Sequence, residues 1–567
     1  MNMGISSKRL MELVQQVQES RRSDVSTRIP GISGISSESQ EITGIPERKT
    51  HTGMHGETIT YNQRQEEFIN LALSGQSCIL LGAAGTGKTT CMQGMIAELL
   101  GAGKLEHIEM NHKHFSTIPS PAIAIISYTR RAVANIKRVL SADLKSNAMT
   151  VHKLLEYAPV FDTIQDPMTF ELKKTMSFVP SRDAYNTLPP LQVVLIEESS
   201  MLSLDLWEKI EDALNPSILT QFIYIGDIQQ LPPVFGNAIL GFKLLELPVI
   251  ELTEVYRQAL ESPIIRLAHR ILSGVPIPHT KYASWHSPGK LTLHPWKKKL
   301  SADVALLTVA NFFTSALDSN LYNPGEDIIL IPYNKAFGSI ELNKYIAQHI
   351  ASREGKLVYE IVAGYNKHYF SVGDKILYEK EDAVITCITP NVEYAGRKAQ
   401  GESVTMNYWG QDTGSLERKK EDHYDLSESN IDFLLDQAAL LNGNDEEGKI
   451  RKASHTITLK LLDSGQEISI SDSSSINTLL LGYVITVHKA QGSEWNKVFI
   501  VLHQSHATMI SRELLYTGVT RAREELYVIC EKETFTNGIL SQRIKGETLE
   551  AKAEYFKGIQ ERDRKSQ

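Results

Sequence analysis

The run Gly82-Ala83-Ala84-Gly85-Thr86-Gly87-Lys88-Thr89 constrains this chain more than any other segment. It follows the apolar stretch Cys78-Ile79-Leu80-Leu81 and precedes a helix-compatible run over 90–100. Strand, glycine-rich turn and helix in that order make a phosphate-binding loop. The glycines let backbone N–H groups converge on phosphate oxygens at a helix N-terminus. Lys88 is placed to reach the β and γ phosphates, and the Thr89 hydroxyl to bind Mg²⁺. Gly82, Ala83, Ala84, Gly85, Thr86, Gly87, Lys88, Thr89 and Thr90 are the expected ATP contacts.

Such a loop needs an acidic strand end beside it. Val193-Val194-Leu195-Ile196-Glu197-Glu198 supplies one, with Glu197 for the Mg²⁺ shell and Glu198 to polarise an attacking water. Further apolar runs, Ala122-Ile123-Ala124-Ile125-Ile126 and Phe222-Ile223-Tyr224-Ile225, then Ile328-Ile329-Leu330-Ile331, Val498-Phe499-Ile500-Val501-Leu502 and Leu526-Tyr527-Val528-Ile529, suit parallel strands buried on both faces. Two α/β domains account for them. The first is expected over 58–258, with a small β-hairpin arm at about 156–190. The second is expected over 259–372 and 479–540. Between them, 373–478 reads as an inserted β-rich domain whose charged middle includes Glu417-Arg418-Lys419-Lys420-Glu421-Asp422. Residues 1–57 read as a flexible tail with a short helix at about 10–17, and 541–567 as a C-terminal helix or tail.

Composition narrows the partners. The 567 residues hold 59 Lys+Arg against 67 Asp+Glu, a net charge of −8, which excludes a wholly basic nucleic-acid coat but allows a local basic groove. Cys78, Cys91, Cys387 and Cys530 have no paired spacing, which argues against a disulfide framework or zinc site and for a reducing intracellular, cytoplasmic setting. No run of about 18 apolar residues suggests a membrane span.

Seven further segments complete an ordered set. Tyr61-Asn62-Gln63-Arg64-Gln65 precedes the phosphate loop. Ser127-Tyr128-Thr129-Arg130-Arg131-Ala132 and Thr150-Val151-His152-Lys153-Leu154-Leu155 follow it. After Ile196-Glu197-Glu198-Ser199-Ser200-Met201 come Ile225-Gly226-Asp227-Ile228-Gln229-Gln230-Leu231-Pro232-Pro233-Val234 and Leu252-Thr253-Glu254-Val255-Tyr256-Arg257. The last two are Thr486-Val487-His488-Lys489-Ala490-Gln491-Gly492-Ser493-Glu494 and Leu515-Tyr516-Thr517-Gly518-Val519-Thr520-Arg521-Ala522-Arg523. In this order they resemble the Q motif and motifs Ia, Ib, II, III, IV, V and VI of superfamily 1 helicases. Ser-Met after motif II and the Leu-Pro-Pro-Val ending of motif III resemble branch 1B, whose members include the phage Dda helicase and, more distantly, RecD.

The resemblance implies two RecA-like P-loop NTPase domains, a hairpin arm and an SH3-like insert opening at Gly373-Asp374-Lys375. It implies ATP-driven translocation on single-stranded DNA, 5′ to 3′, with unwinding of duplex at junctions. Gln65 would read the adenine edge and Tyr256 stack on adenine. Arg257 and Arg521 would reach the γ-phosphate, and Gln230 would couple it to the DNA face. Glu494 would accept a ribose hydroxyl beside Gly492. The strand track would comprise Tyr128, Thr129, Arg130, Arg131, Thr150, His152, Thr486, His488 and Lys489. Its few cations predict a narrow basic channel and a shallow salt dependence of binding. A monomer is expected, with replication or recombination proteins meeting the N-terminal tail.

One departure stands out. Relatives usually carry Asp where this chain has Glu197, one methylene longer. Two other readings stay open: an RNA-directed helicase of the same branch, and a nucleotide-dependent binding subunit without robust turnover. Within the arm, Phe161, Phe170 and Phe178 are aromatic candidates, and Phe170 is the expected duplex wedge. Phe170→Ala is expected to impair unwinding more than ATP hydrolysis. Equal losses in the two assays would indicate simple destabilisation.

Overall fold

The computed structural model describes residues 50–52, 58–108, 120–165, 172–233, 236–254, 261–277, 286–287, 291–295, 299–334, 337–364, 366–378, 381–391, 452–462 and 465–566. Thr50–Thr52 pairs antiparallel with Thr58–Thr60, so regular structure begins inside the expected tail. The expected helix at 10–17 and the charged middle of the insert lie outside the described residues, as do Tyr256, Arg257 and Phe170.

The phosphate-loop strand Cys78–Gly82 sits second in a six-stranded sheet. The order is Val249–Leu252, Cys78–Gly82, Gln221–Gly226, Val193–Ile196, Ile123–Ser127, Ala148–Thr150, and every pair is parallel. Alternation along each strand feeds two separate cores. Cys78, Leu80, Ile123, Ile125, Val193 and Leu195 pack on one face. Ile79, Leu81, Ala124, Ile126, Val194 and Ile196 pack on the other. Burial on both faces explains why these strands are uninterrupted apolar runs.

A second six-stranded sheet follows the same logic. Its order is His286–Ser287, Leu291–Pro295, Ala522–Cys530, Trp495–Leu502, Ile328–Ile331, Val484–Thr486, parallel except at the first edge pair. Ile328, Leu330, Val498, Ile500 and Val528 serve one core, and Ile329, Ile331, Phe499, Val501 and Ile529 the other.

Between Ile331 and Val484 the chain builds an antiparallel sheet of five strands, ordered Glu467–Asp472, Lys452–Leu461, Glu381–Pro390, Lys375–Tyr378, Leu480–Leu481. The hairpin Val358–Ala363 with Asn366–Ser371 shares its core, through Ile361, Ala363 and Phe370. Because the hairpin's apolar face joins the insert's core, the β unit extends ahead of the expected start at 373, to Val358. In the arm segment, Ala158–Gln165 pairs antiparallel with Leu172–Val179.

After the last strand the chain returns to the first α/β unit. The helix Leu549–Ser566 places Phe556, 4% exposed, edge-on to Phe242 with ring centroids 6.1 Å apart. Gly241 makes this approach feasible, since a Cβ there would lie 2.3 Å from the Phe556 ring. Phe556→Ala is expected to cost about 3 kcal/mol of stability, read as a lower urea midpoint. A loss under about 1 kcal/mol would mean that the helix is not a packed part of the domain.

Candidate nucleotide site and strand interface

The phosphate loop is shaped by its own contacts. Gly85 and Gly87 take φ of 81° and 83°, a region that L side chains rarely adopt. A Cβ on Gly82 would lie 2.4 Å from Thr86 Oγ1. Thr86 Oγ1 in turn donates to Ala83 O at 2.9 Å. The helix Lys88–Gly101 starts inside the loop, so its first N–H groups face the same concavity. Lys88 Nζ donates to Gly82 O at 2.5 Å and Ala83 O at 3.2 Å, which folds the ammonium back over the loop.

Glu197 and Glu198 follow the strand Val193–Ile196, one strand beyond the Gln221–Gly226 neighbour of the phosphate-loop strand. Glu198 has φ 53° and ψ 43°, a left-handed conformation costing a non-glycine residue about 1–3 kcal/mol. The strain is stored where the sequence places the attacking-water residue. Both carboxyls are pushed above the ordinary glutamate range, chiefly by burial. For Glu197 the adjacent Glu198 charge adds to this, while Lys88 and Arg521 pull against it; for Glu198 those same two cations oppose burial, Arg521 first. Glu198 Oε2 is buried without a hydrogen-bond partner. Thr89, exposed at the helix start, adds a hydroxyl. A hydroxyl and two carboxylates are hard oxygen donors of the kind that suits Mg²⁺ with phosphate and water completing its shell, and a cation would relieve the carboxyl repulsion. The residues present therefore fit such an ion.

Arg521 comes from the second sheet's side and is 4% exposed. Its guanidinium is oriented by Thr517 O at 2.9 Å, Ser493 O at 3.1 Å and Thr520 Oγ1 at 3.1 Å. Asp227 and Gln230 lie in the turn after Gln221–Gly226, both buried. Gln230 Oε1 is buried without a hydrogen-bond partner, and the side chain lines a small cavity with Ser200, Leu240 and Phe556. Gln65 is fully buried, and its Oε1 accepts from Asn62 N at 3.0 Å in a capping box that starts the helix Gln63–Leu73. That oxygen is committed to the helix end rather than offered to a base edge. Asn62 Nδ2 donates to Glu254 Oε2 at 3.3 Å, so the Q segment adjoins the start of motif IV. Glu494 is half exposed and pairs with Arg523 at 3.0 Å.

The expected strand residues gather at carboxyl ends of parallel strands. Thr129, Thr150 and Thr486 each close a turn or helix start by accepting the N–H three residues on, from Ala132, Lys153 and Lys489 at 3.1, 3.2 and 3.3 Å. His152 is held edge-on between Tyr128 and Tyr157, at 5.6 and 5.0 Å. Arg130 is exposed, and His488 and Lys489 are half-buried.

Arg131 differs from expectation. It is 7% exposed and ion-paired with Asp382 of the β insert. It also donates to Ser493 Oγ at 3.3 Å and lies over the Trp495 ring, 5.1 Å from its centroid. The guanidinium thus joins motif Ia to motif V and the insert instead of facing solvent. A buried cation needs such a partner, and Asp382 carried no motif to announce it. Gly492, expected beside the ribose, has φ 73° and packs on motif Ia: a Cβ would lie 2.7 Å from Thr129 Oγ1 and 3.0 Å from Ala132 Cβ. Asn135 Nδ2 donates to its carbonyl at 3.0 Å.

Two parallel sheets, one carrying a phosphate loop and paired acids and the other supplying a buried arginine, define a P-loop nucleotide-binding protein. A family described as an AAA domain matches residues 65–236, and one described as a UvrD-like helicase C-terminal domain matches 481–529. The ATP-dependent RecD2 DNA helicase of Deinococcus radiodurans is 24% identical over 469 residues, which cover 82% of this chain and 48% of that protein. The RecBCD enzyme subunit RecD of Haemophilus influenzae is 22% identical, covering 84% of this chain and 70% of its own. A Pif1 helicase from Bacteroides, solved with ADP-AlF3 and single-stranded DNA, covers 90% of this chain and 98% of its own at 15% identity and a TM-score of 0.42. The chain is similar to RecD-type helicases of superfamily 1, and spans about half the length of the RecD2 relative. No helix among the described residues is long and apolar enough to cross a membrane.

Gly492→Ala is expected to cost about 1–2 kcal/mol, from its backbone conformation and the Thr129 contact. Because that contact joins motif V to motif Ia, stimulation of ATP hydrolysis by DNA should fall more than hydrolysis without DNA. An unchanged ratio of the two rates would disconnect the contact from coupling.

Proposed function

We propose that the chain is an ATP-dependent DNA helicase that translocates 5′ to 3′ on single-stranded DNA and unwinds duplex at junctions. The observation that carries this reading is that the Lys88 and Arg521 cations act together on the buried Glu197–Glu198 pair, while motif V packs on motif Ia and motif VI holds the motif III turn. Lys88 and the loop N–H groups bind the triphosphate. Glu198 orients and polarises the attacking water, and Arg521 stabilises charge developing on the γ-phosphate oxygens. Glu197 and Thr89 would hold Mg²⁺, whose charge supports phosphate binding and transfer. The longer Glu197 keeps the site active on this reading. Alternating nucleotide states change the grip of the two α/β units on the strand, through Thr129, Arg130, Thr150, His152, Thr486, His488 and Lys489. Each step rests on the different DNA affinities of those states.

The test combines turnover with polarity. DNA-stimulated ATP hydrolysis is expected in the wild type and lost in Lys88→Ala. Unwinding is expected on duplexes with 5′ single-stranded tails and not on those with 3′ tails. Equal slowness of wild type and Lys88→Ala would leave a nucleotide-dependent binding protein. Stimulation by RNA in preference to DNA would move the substrate to RNA, where the 2′-hydroxyl is the distinguishing group.

A further inference from the structure

Tyr516 lies in the helix Arg512–Val519 of the second α/β unit, is 1% exposed, and reaches across the cleft. Its hydroxyl accepts from Ala84 N, a phosphate-loop amide, at 2.8 Å. The same hydroxyl donates to Asp227 Oδ2 at 2.5 Å, in the motif III turn. Burial and the neighbouring Asp227 carboxylate hold the phenol well above its ordinary range, so the proton stays on the oxygen. Two further contacts fasten the same turn to the same unit. Leu231 N donates to Thr517 Oγ1 at 3.0 Å, and Gln491 Nε2 donates to Leu231 O at 2.9 Å.

A buried tyrosine needs only one polar partner to satisfy its hydroxyl. This one joins three motifs through a single oxygen, and one partner is an N–H of the loop that cradles phosphate. A backbone N–H makes one strong hydrogen bond at a time, so a phosphate oxygen at Ala84 and the Tyr516 hydroxyl compete for it. When the hydroxyl loses the Ala84 N–H, its remaining hydrogen-bond partner among the described residues is Asp227, which adjoins the Gln229-Gln230 pair in the motif III turn.

We propose that Tyr516 is a positioning residue that reports phosphate-loop occupancy to the motif III turn: a terminal phosphate takes the Ala84 N–H from the tyrosine hydroxyl, and the released hydroxyl changes its hold on Asp227. The inference rests on the nucleotide-driven reading above and adds the atom that carries the signal. Tyr516 touches no reacting atom. It acts through Ala84 on one side and Asp227 on the other, and its effect is on coupling between nucleotide and DNA rather than on chemistry.

The experiment uses the full chain as wild type, Tyr516→Phe and Asp227→Asn. Thermal midpoints are measured first, then anisotropy of a labelled oligo-dT strand without nucleotide, with ADP, and with a non-hydrolysable ATP analogue, and finally analogue affinity. In the wild type the strand affinity should change by about fivefold or more between nucleotide states. Tyr516→Phe keeps the ring and removes the oxygen. It should flatten that change to under about twofold and tighten analogue binding by about threefold, because the competitor for the Ala84 N–H is gone. Asp227→Asn should flatten the strand response while leaving analogue affinity within about twofold, because the Ala84 contact remains. Full nucleotide dependence of strand affinity in Tyr516→Phe, with unchanged analogue affinity, overturns the role of Tyr516. If Tyr516→Phe fails to fold, Asp227→Asn decides: a strand response equal to wild type overturns the proposal. A wild type whose strand affinity ignores nucleotide removes the functional reading itself, a distinct outcome.

Discussion

The structure hangs on the seam where one turn of helix, Tyr516-Thr517, meets one loop, Asp227–Leu231. Three side chains of the second α/β unit bond to that loop, through Tyr516, Thr517 and Gln491. The groups involved are buried, so water competes little and each bond is worth more than it would be on the surface. The loop in turn follows the strand next to the phosphate-loop strand. The motif III turn therefore lies beside the phosphate loop, and Tyr516 bonds to both.

A second seam joins motif V and the insert to motif Ia. Gly492 packs on the start of the motif Ia helix, and Arg131 is clasped by Asp382, Ser493 and Trp495. The insert thus enters the interface between the α/β units through one carboxylate. This alters the charge argument for the strand track. With Arg131 engaged by Asp382, the proposed track would rest on Arg130, Lys489, two histidines and hydroxyl or backbone donors. A chain of net charge −8 can bind a polyanion with so few cations if the groove presents N–H groups and stacking faces as well. The C-terminal helix adds a third tie, with Lys552 Nζ donating to Gln229 Oε1 at 2.8 Å beneath the same motif III turn.

Much of the architecture was legible because its signals are local. A phosphate loop requires its strand, its glycines and its helix in immediate succession, and a doubly buried strand shows itself as an unbroken apolar run. The two sheets and the paired acids at Glu197 and Glu198 follow from those rules. The Val358–Ala363 hairpin is harder to place from sequence, because the core it joins includes strands about 90 residues on, such as Lys452–Leu461, as well as nearby ones. Tyr516, Thr517 and Gln491 fall within the ordered motifs, yet nothing local distinguishes a cleft-crossing hydroxyl from a core tyrosine. Gln65 and Arg131 show the converse. Their types suit adenine and phosphate, yet a capping box and a carboxylate from the insert engage them.

By itself the sequence determined the phosphate loop, the acidic strand end, the two-sheet α/β plan and the ordered motifs, because each is a short-range pattern of residue type and spacing. Only the tertiary structure decided which side chains meet across the cleft. Those pairings join residues hundreds of positions apart, such as Ala84 with Tyr516 and Arg131 with Asp382. They depend on how the two sheets are held against each other, and no local spacing encodes that relation.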